Sequence, residues 1–219
     1  MKKTILDLCG GTGAWSAPYK ENGYEVINVT LPDYDIRNYI RRGDRLRFLS
    51  GEYRVGFEPK FSRGDIEISI KDIYGILAAP PCTMFSLART RAKKPRDFGE
   101  GMELVKKCLQ IIWQVREQTK LAFWALENPM GYLRQFLGKP PFNFHPSDFG
   151  ERYTKNTDLW GYFNEPIKKP IDLNQEELKL MSTNSRKLPS ISDITGSKQS
   201  ARRAITPRGF ALAFYKANQ

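Results

Sequence analysis

Residues 4–13, Thr4-Ile5-Leu6-Asp7-Leu8-Cys9-Gly10-Gly11-Thr12-Gly13, run from an apolar stretch straight into a glycine-rich turn. Thr4 to Leu8 reads as a buried strand and Gly10 to Gly13 as a tight turn. Ala14 to Asn22 follows as a helix stopped by Gly23, and Tyr24 to Thr30 as a second strand. Strand, glycine turn, helix and strand in this order open a doubly wound α/β domain, whose ligands bind beyond the carboxyl ends of the strands. Glycines in such a turn adopt positive φ and let the backbone approach a ligand. The dinucleotide fingerprint GxGxxG is incomplete, because position 16 is serine. Glycine spacing alone leaves open a nucleotide-type ligand or a turn that binds nothing.

Ile73 to Ala78 reads as another strand, and it leads into Ala79-Pro80-Pro81-Cys82. The two prolines cannot continue a strand and they fix the backbone ahead of the thiol. That is a way to display a nucleophile, although an inert buried thiol is the competing reading of the cysteine. From Gly101 to Gln118, the spacing of Met102, Val105, Leu109, Ile112 and Trp113 predicts a helix with one apolar face, which puts Met102, Cys108 and Trp113 in the core. Leu121 to Leu126 reads as the next strand and ends in Glu127-Asn128-Pro129. The glycine turn, the cysteine turn and the Glu-Asn turn thus converge on one sheet edge. Residues 41–71 are charged and glycine-punctuated, with a hairpin at Arg45 to Val55 and no visible chemistry. Arg186 to Gln199 reads as an exposed loop and Pro207 to Ala217 as a short terminal helix.

With 219 residues the chain has the size of one catalytic unit, expected as a monomer. Its 35 Lys and Arg against 24 Asp and Glu give a net charge of +11, which favours a polyanionic partner. Cys9, Cys82 and Cys108 form no CxxC pair and His145 is the sole imidazole, so neither a metal cluster nor a disulfide framework is indicated. A reducing cytoplasm fits this cysteine usage. No apolar run approaches the length of about 18 residues that a membrane span needs.

Asp7 to Gly13, then Ala79-Pro80-Pro81-Cys82 with Phe85-Ser86, then Glu127-Asn128, resemble in order and spacing the motifs of the cytosine-C5 DNA methyltransferases, above all the small phage-type members. The resemblance implies the Rossmann-like fold of S-adenosylmethionine-dependent methyltransferases, a doubly wound and mostly parallel sheet with a small C-terminal recognition region. It implies S-adenosylmethionine over Asp7, Leu8, Cys9, Gly10, Gly11, Thr12 and Gly13, with Pro80 nearby. Cys82 would attack C6 of a cytosine in duplex DNA as thiolate, and Glu127 would hold N3. Asp35-Ile36 is similar to the family's Asp-Ile element near the adenine, with a solvated loop aspartate as the competing reading. An acid commonly ends the second strand in the family; here Val29 is followed by Thr30, and Asp33 is the nearest substitute.

Thr83 to Gly101 corresponds to the family's mobile catalytic loop. Its Arg89, Arg91, Lys93, Lys94 and Arg96 are expected to contact phosphates, a solvated charge run being the alternative. Gln199-Ser200-Ala201-Arg202-Arg203 is similar to the family's Gln-x-Arg-x-Arg element, which implies that Arg203 assists at the cytosine. Phe149 to Gly161 mixes aromatics, glycine and basic groups without a legible mechanism. Residues 1–137 are expected to bind S-adenosylmethionine and carry catalysis, 138–198 to form the recognition region, and 199–219 to return to the catalytic domain. An RNA cytosine-C5 methyltransferase and a catalytically silent DNA-binding relative are the alternative functions.

Overall fold

From the amino end the elements are β1 (Thr4–Leu8), α1 (Ala17–Glu21), β2 (Glu25–Val29), β3 (Tyr34–Arg42), β4 (Arg45–Ser50), β5 (Ile66–Ser69) and β6 (Ile73–Ala78). They continue with α2 (Phe98–Arg116), β7 (Phe123–Pro129), α3 (Arg134–Leu137), β8 (Phe142–Phe144), β9 (Thr157–Tyr162) and α4 (Arg208–Ala217). The computed structural model describes residues 3–51, 64–87, 89, 94–170, 172, 188–191 and 203–219.

The main sheet has six strands in the order β2-β1-β6-β7-β9-β8. The first four run parallel, while β9 is antiparallel to both β7 and β8. The chain leaves β1 for β2 on one flank and returns as β6 on the other. The carboxyl ends of β1 and β6 therefore flank a topological switch point, where sheets of this kind bind ligands.

Both sheet faces are covered, as a parallel sheet requires. On one face Leu6, Leu8, Ile76 and Ala78 pack with Val105, Cys108, Ile111 and Ile112 of α2. On the other, Ile5 and Leu77 pack with Trp15, Tyr19, Phe123, Phe144, Phe210 and Phe214. The alternation of Ile5 and Leu6 between these clusters follows the two-residue period of a strand. α4 thus closes over the segment that follows the glycine turn, with Phe210 stacked on Phe144 at 4.0 Å and Trp15 edge-on to Phe214 at 5.4 Å.

Several elements differ from the sequence reading. α1 starts at Ala17, because residues 14–16 still belong to the turn, and Pro18 sits in the first helical turn where a missing N–H costs nothing. α2 starts at Phe98, ahead of Gly101, because the Asp97 side chain caps the helix by accepting from the Glu100 N–H at 2.9 Å. Trp113 is not core: it is 54% exposed and lies under the Arg116 guanidinium at 4.5 Å. The buried stripe runs through Gly101, Val105, Cys108, Ile112 and Val115, and Trp113 is turned about 100° round the helix from Ile112. The hairpin of the charged region turns at Gly43-Asp44, between β3 and β4, and β5 joins them in a separate antiparallel sheet. Gly43 has φ +58°, the conformation that two-residue hairpin loops favour at their first position. Residues 52–55 of the expected hairpin lie outside the described residues. Residues 142–162, grouped by the sequence with the recognition region, supply β8 and β9 to the main sheet. No helix among the described residues is long and apolar enough to cross a membrane.

Candidate active site

The turn after β1 is shaped from beneath by Asp7. Its carboxylate is wholly buried, accepts the Ser16 hydroxyl at 2.5 Å, and lies where a side chain on Gly10 would collide with it. Burial pushes the Asp7 carboxyl up to about 6, against the lowering effect of the Ser16 hydrogen bond. Leu8 is buried in the core, and Cys9 takes a positive φ of +58° with its thiol hydrogen-bonded to that of Cys108. That contact and burial hold the Cys108 thiol well above its ordinary range. Gly11 and Gly13 also have positive φ, and a Cβ on Gly11 would meet nothing within 4 Å.

Thr30 stands where the resemblance expects an acid, and its Oγ1 accepts the Gly11 N–H at 3.2 Å. Asn28 donates to the Gly11 carbonyl at 3.1 Å, so the end of β2 holds the turn open. Asp33 is exposed in the turn that follows. Asp7 Oδ1 and Asn28 Oδ1 are buried acceptors without a hydrogen-bond partner among the described residues. Open backbone at Gly11 beside unpaired acceptors fits S-adenosylmethionine, whose ammonium and ribose hydroxyls are donors. Asp35 is not a solvated loop residue: it is buried in β3 and its two oxygens take the Arg37 guanidinium at 2.9 and 2.6 Å. Ile36 beside it belongs to the core.

After β6, Pro80 offers its carbonyl to Asn128 Nδ2 at 2.9 Å, tying the cysteine turn to the end of β7. The carbonyl of Cys82 accepts from the N–H groups of Phe85 and Ser86 at 2.9 and 2.8 Å. Phe85 in turn accepts from Tyr132 N–H at 2.9 Å, and a Cβ on Gly131 would come within 2.3 Å of the same Phe85 oxygen. Glycine at 131 lets the two turns close on each other.

β7 runs on to Pro129, past the expected end at Leu126, so Glu127 lies within the strand. Its side chain is only 15% exposed, and Lys155 Nζ stands 3.7 Å from its Oε1. Burial raises the Glu127 carboxyl, Lys155 opposes that rise and Asp158 adds to it. The Cys82 thiol is also pushed up, first by burial and then by the Glu127 carboxylate, with Lys155 again opposing. Lys155 therefore opposes the rise at both acids. Lys155 Nζ also donates to the Arg203 carbonyl at 3.2 Å, which brings position 203 to the site through its backbone. Gln199 lies outside the described residues.

Lys155 is the site residue that sequence reasoning missed. It sits in the segment Phe149 to Gly161, just ahead of β9, and it reaches Glu127 because β9 pairs with β7. A lysine next to an apolar strand start was the available signal. The strand order that gives it meaning is not written locally.

The basic loop is partly occupied with its own structure. Arg89 donates to the carbonyls of Lys94 and Pro95 at 2.8 and 3.2 Å, and Lys94 pairs with Glu100 at 3.4 Å. Arg96 donates to the Met84 carbonyl at 3.0 Å and lies over the Tyr132 ring at 4.9 Å, bracing the cysteine turn. Arg91 and Lys93 lie outside the described residues.

A mostly parallel six-stranded sheet, with the turns after β1, β6 and β7 gathered at one edge, is compatible with the Rossmann-like fold of methyltransferases. The chain is similar to the type II methyltransferase M.DdeI of Desulfomicrobium norvegicum, with 31% identity over 106 residues. The match covers 47% of this chain and 24% of the relative, so the chain spans about a quarter of that protein's length. No family model matches the chain. The similarity supports a methyltransferase as the class of protein.

Proposed function

We propose that the chain is an S-adenosylmethionine-dependent DNA methyltransferase that acts on C5 of cytosine through Cys82, as in the small phage-type members its motif order resembles. The observation that carries this reading is the joining of the Cys82 turn to the carboxyl end of β7 through the 2.9 Å bond from Asn128 to the Pro80 carbonyl, with Lys155 Nζ 3.7 Å from Glu127 Oε1 beside it. Cytosine C5 is a poor nucleophile until a thiolate adds to C6. Cys82 Sγ forms the bond to C6, the C5–C6 π pair moves between C5 and C4, and the charge passes to N3. Glu127 delivers a proton to N3, and its burial favours the protonated form. Asn128 holds the two turns in register through Pro80. When bound, S-adenosylmethionine supplies the electrophilic methyl group. The Asp7 to Gly13 turn binds it, with Thr30 and Asn28 keeping the Gly11 backbone in place. The ring atoms are shielded within stacked duplex DNA, so the target base leaves the helix to reach Cys82.

The test is capture on duplex DNA that carries 5-fluorocytosine. Fluorine cannot leave C5 as a proton does, so a covalent protein–DNA adduct should accumulate only with S-adenosylmethionine and intact Cys82. Glu127→Gln should slow its formation. Capture on fluorinated RNA alone would replace the substrate assignment, and no capture on either by protein that binds S-adenosylmethionine would replace the enzymatic one with a silent DNA binder.

A further inference from the structure

Arg96 belongs by sequence to the basic loop, but its guanidinium is engaged by the cysteine turn and by the segment that follows β7. Nη1 donates to the Met84 carbonyl at 3.0 Å, and the group lies 4.9 Å from the centre of the Tyr132 ring. The same two segments are joined by the Asn128 bond to the Pro80 carbonyl and by the Tyr132 N–H bond to the Phe85 carbonyl, each 2.9 Å. Arg96 adds a tie that comes from the loop. Its own place is fixed by the start of α2. Asp97 caps that helix, and Phe98 packs on Phe85 at 6.2 Å and on Tyr132 at 5.6 Å. The first turn of α2 is so close to the cysteine turn that a Cβ on Gly101 would come within 2.9 Å of the Met84 and Phe85 side chains. Arg89 meets Met84 at its sulfur, 3.5 Å away, and gives its other bonds to the Lys94 and Pro95 carbonyls.

We propose that Arg96 is a positioning residue for the reaction and not a phosphate contact: by gripping Met84 and Tyr132 together it sets how the Cys82 turn stands against the end of β7. A guanidinium donates in its plane and stacks through its face at once, which the compact ammonium of lysine does not reproduce. Attack at C6 from one segment and proton delivery at N3 from the other require both groups to reach one base, so a small error in their separation is costly. A cation on phosphate acts on duplex affinity and on its salt dependence. Arg96 acts instead on the rate of the bound complex. The inference rests on the methyltransferase reading for the reaction it serves, but the grip exists in the protein alone.

The experiment compares the original protein with Arg96→Gln and Arg96→Lys in three measurements: the single-turnover rate of capture on the 5-fluorocytosine duplex at saturating DNA and S-adenosylmethionine, duplex affinity against salt, and hydrogen exchange in the isolated protein. Arg96→Gln should slow capture about tenfold, with S-adenosylmethionine affinity, duplex affinity and the salt slope unchanged. Arg96→Lys keeps the charge and should still capture about threefold more slowly than the original. The Phe85 and Ser86 amides, bonded to the Cys82 carbonyl, and the Tyr132 amide should exchange several-fold faster in Arg96→Gln. Tyr132→Leu removes the ring and keeps the N–H bond. It should slow capture as well and add little to Arg96→Gln in the double variant, and it carries the test where Arg96→Gln does not fold. A flattened salt slope, capture unchanged in Arg96→Gln or fully restored by lysine, full additivity with Tyr132→Leu, or unchanged exchange overturns the proposal. Exchange needs neither DNA nor cofactor. Faster exchange in Arg96→Gln with no capture by the original protein would overturn the methyltransferase reading and leave the grip standing, and capture by the original protein with unchanged exchange would do the reverse.

Discussion

Two acids at the sheet edge, Asp7 and Glu127, are raised by burial, and of this pair only Glu127 has a cation beside it among the described residues. Glu127 has Lys155, whereas Asp7 has a single hydroxyl, from Ser16. The Asp7 carboxyl moves from 3.8 to about 6 on folding, so the folded state holds its proton more tightly than the unfolded chain. Stability from this group is present below its unfolded pKa and is lost as pH rises through the folded value. At about 1.4 kcal/mol per pKa unit the loss approaches about 3 kcal/mol by neutrality. Asp7→Asn carries no such penalty, so in denaturant titrations without cofactor its stability should gain on the original protein between acid and neutral pH. A difference independent of pH would show that Asp7 is not the strained acid at this turn. Cys82→Ser should abolish turnover and leave S-adenosylmethionine affinity within a few fold by calorimetry, because in the proposed mechanism the thiol acts on the base and not on the cofactor. Cys82 and Glu127 stand out as candidates in the sequence, since each lies at or just past the carboxyl end of an apolar stretch with proline close by. Lys155 does not, because its partner is brought to it by strand pairing.

At the scale of elements, local patterning placed β1, β6 and α4 within a residue or two, because each is bounded by glycine or proline or carries an apolar stripe. It failed on α2 in an instructive way. Spacings of three and four residues link Met102 to Trp113 as readily as they link Gly101 to Val115, and only packing against the sheet chooses between the two stripes. Trp113→Ala should accordingly cost under about 1 kcal/mol, mostly its contact with Arg116. Phe210 is the contrasting case: buried in α4, it packs on Phe144, Phe149, Trp15 and Phe214. Phe210→Ala should cost about 3–5 kcal/mol in equilibrium unfolding and weaken S-adenosylmethionine binding, since Trp15 follows the glycine turn directly. Equal destabilisation with unchanged affinity would mean that α4 supports the core without bracing the turn.

Over the whole molecule, composition predicted a polyanionic partner without saying which surface would meet it. The hairpin that carries Arg41, Arg42, Arg45 and Arg47 is one basic stretch of the sequence, but the fold turns it away from the cysteine turn. α2 starts beside Met84 and Phe85 at the cysteine turn and runs back to Glu117, where Arg41 pairs with Glu117 at 3.0 Å and Gln118 donates to the Gly43 carbonyl at 2.8 Å. The β3–β4 turn therefore lies at the amino end of the sheet, opposite the edge that carries Cys82. Duplex affinity that depends on released counterions follows the number of cations that touch phosphate, not the net charge of the protein. Arg42→Gln combined with Arg45→Gln removes two of the charges behind the +11 and loses the exposed pair between Arg45 and Glu67. It should leave duplex affinity, and the slope of that affinity against salt, unchanged. Arg89→Gln combined with Lys94→Gln, in the loop beside Cys82, should weaken binding and flatten the slope. If the hairpin variant flattens the slope instead, the DNA path crosses the amino end of the sheet, and the catalytic loop is held by its internal bonds alone.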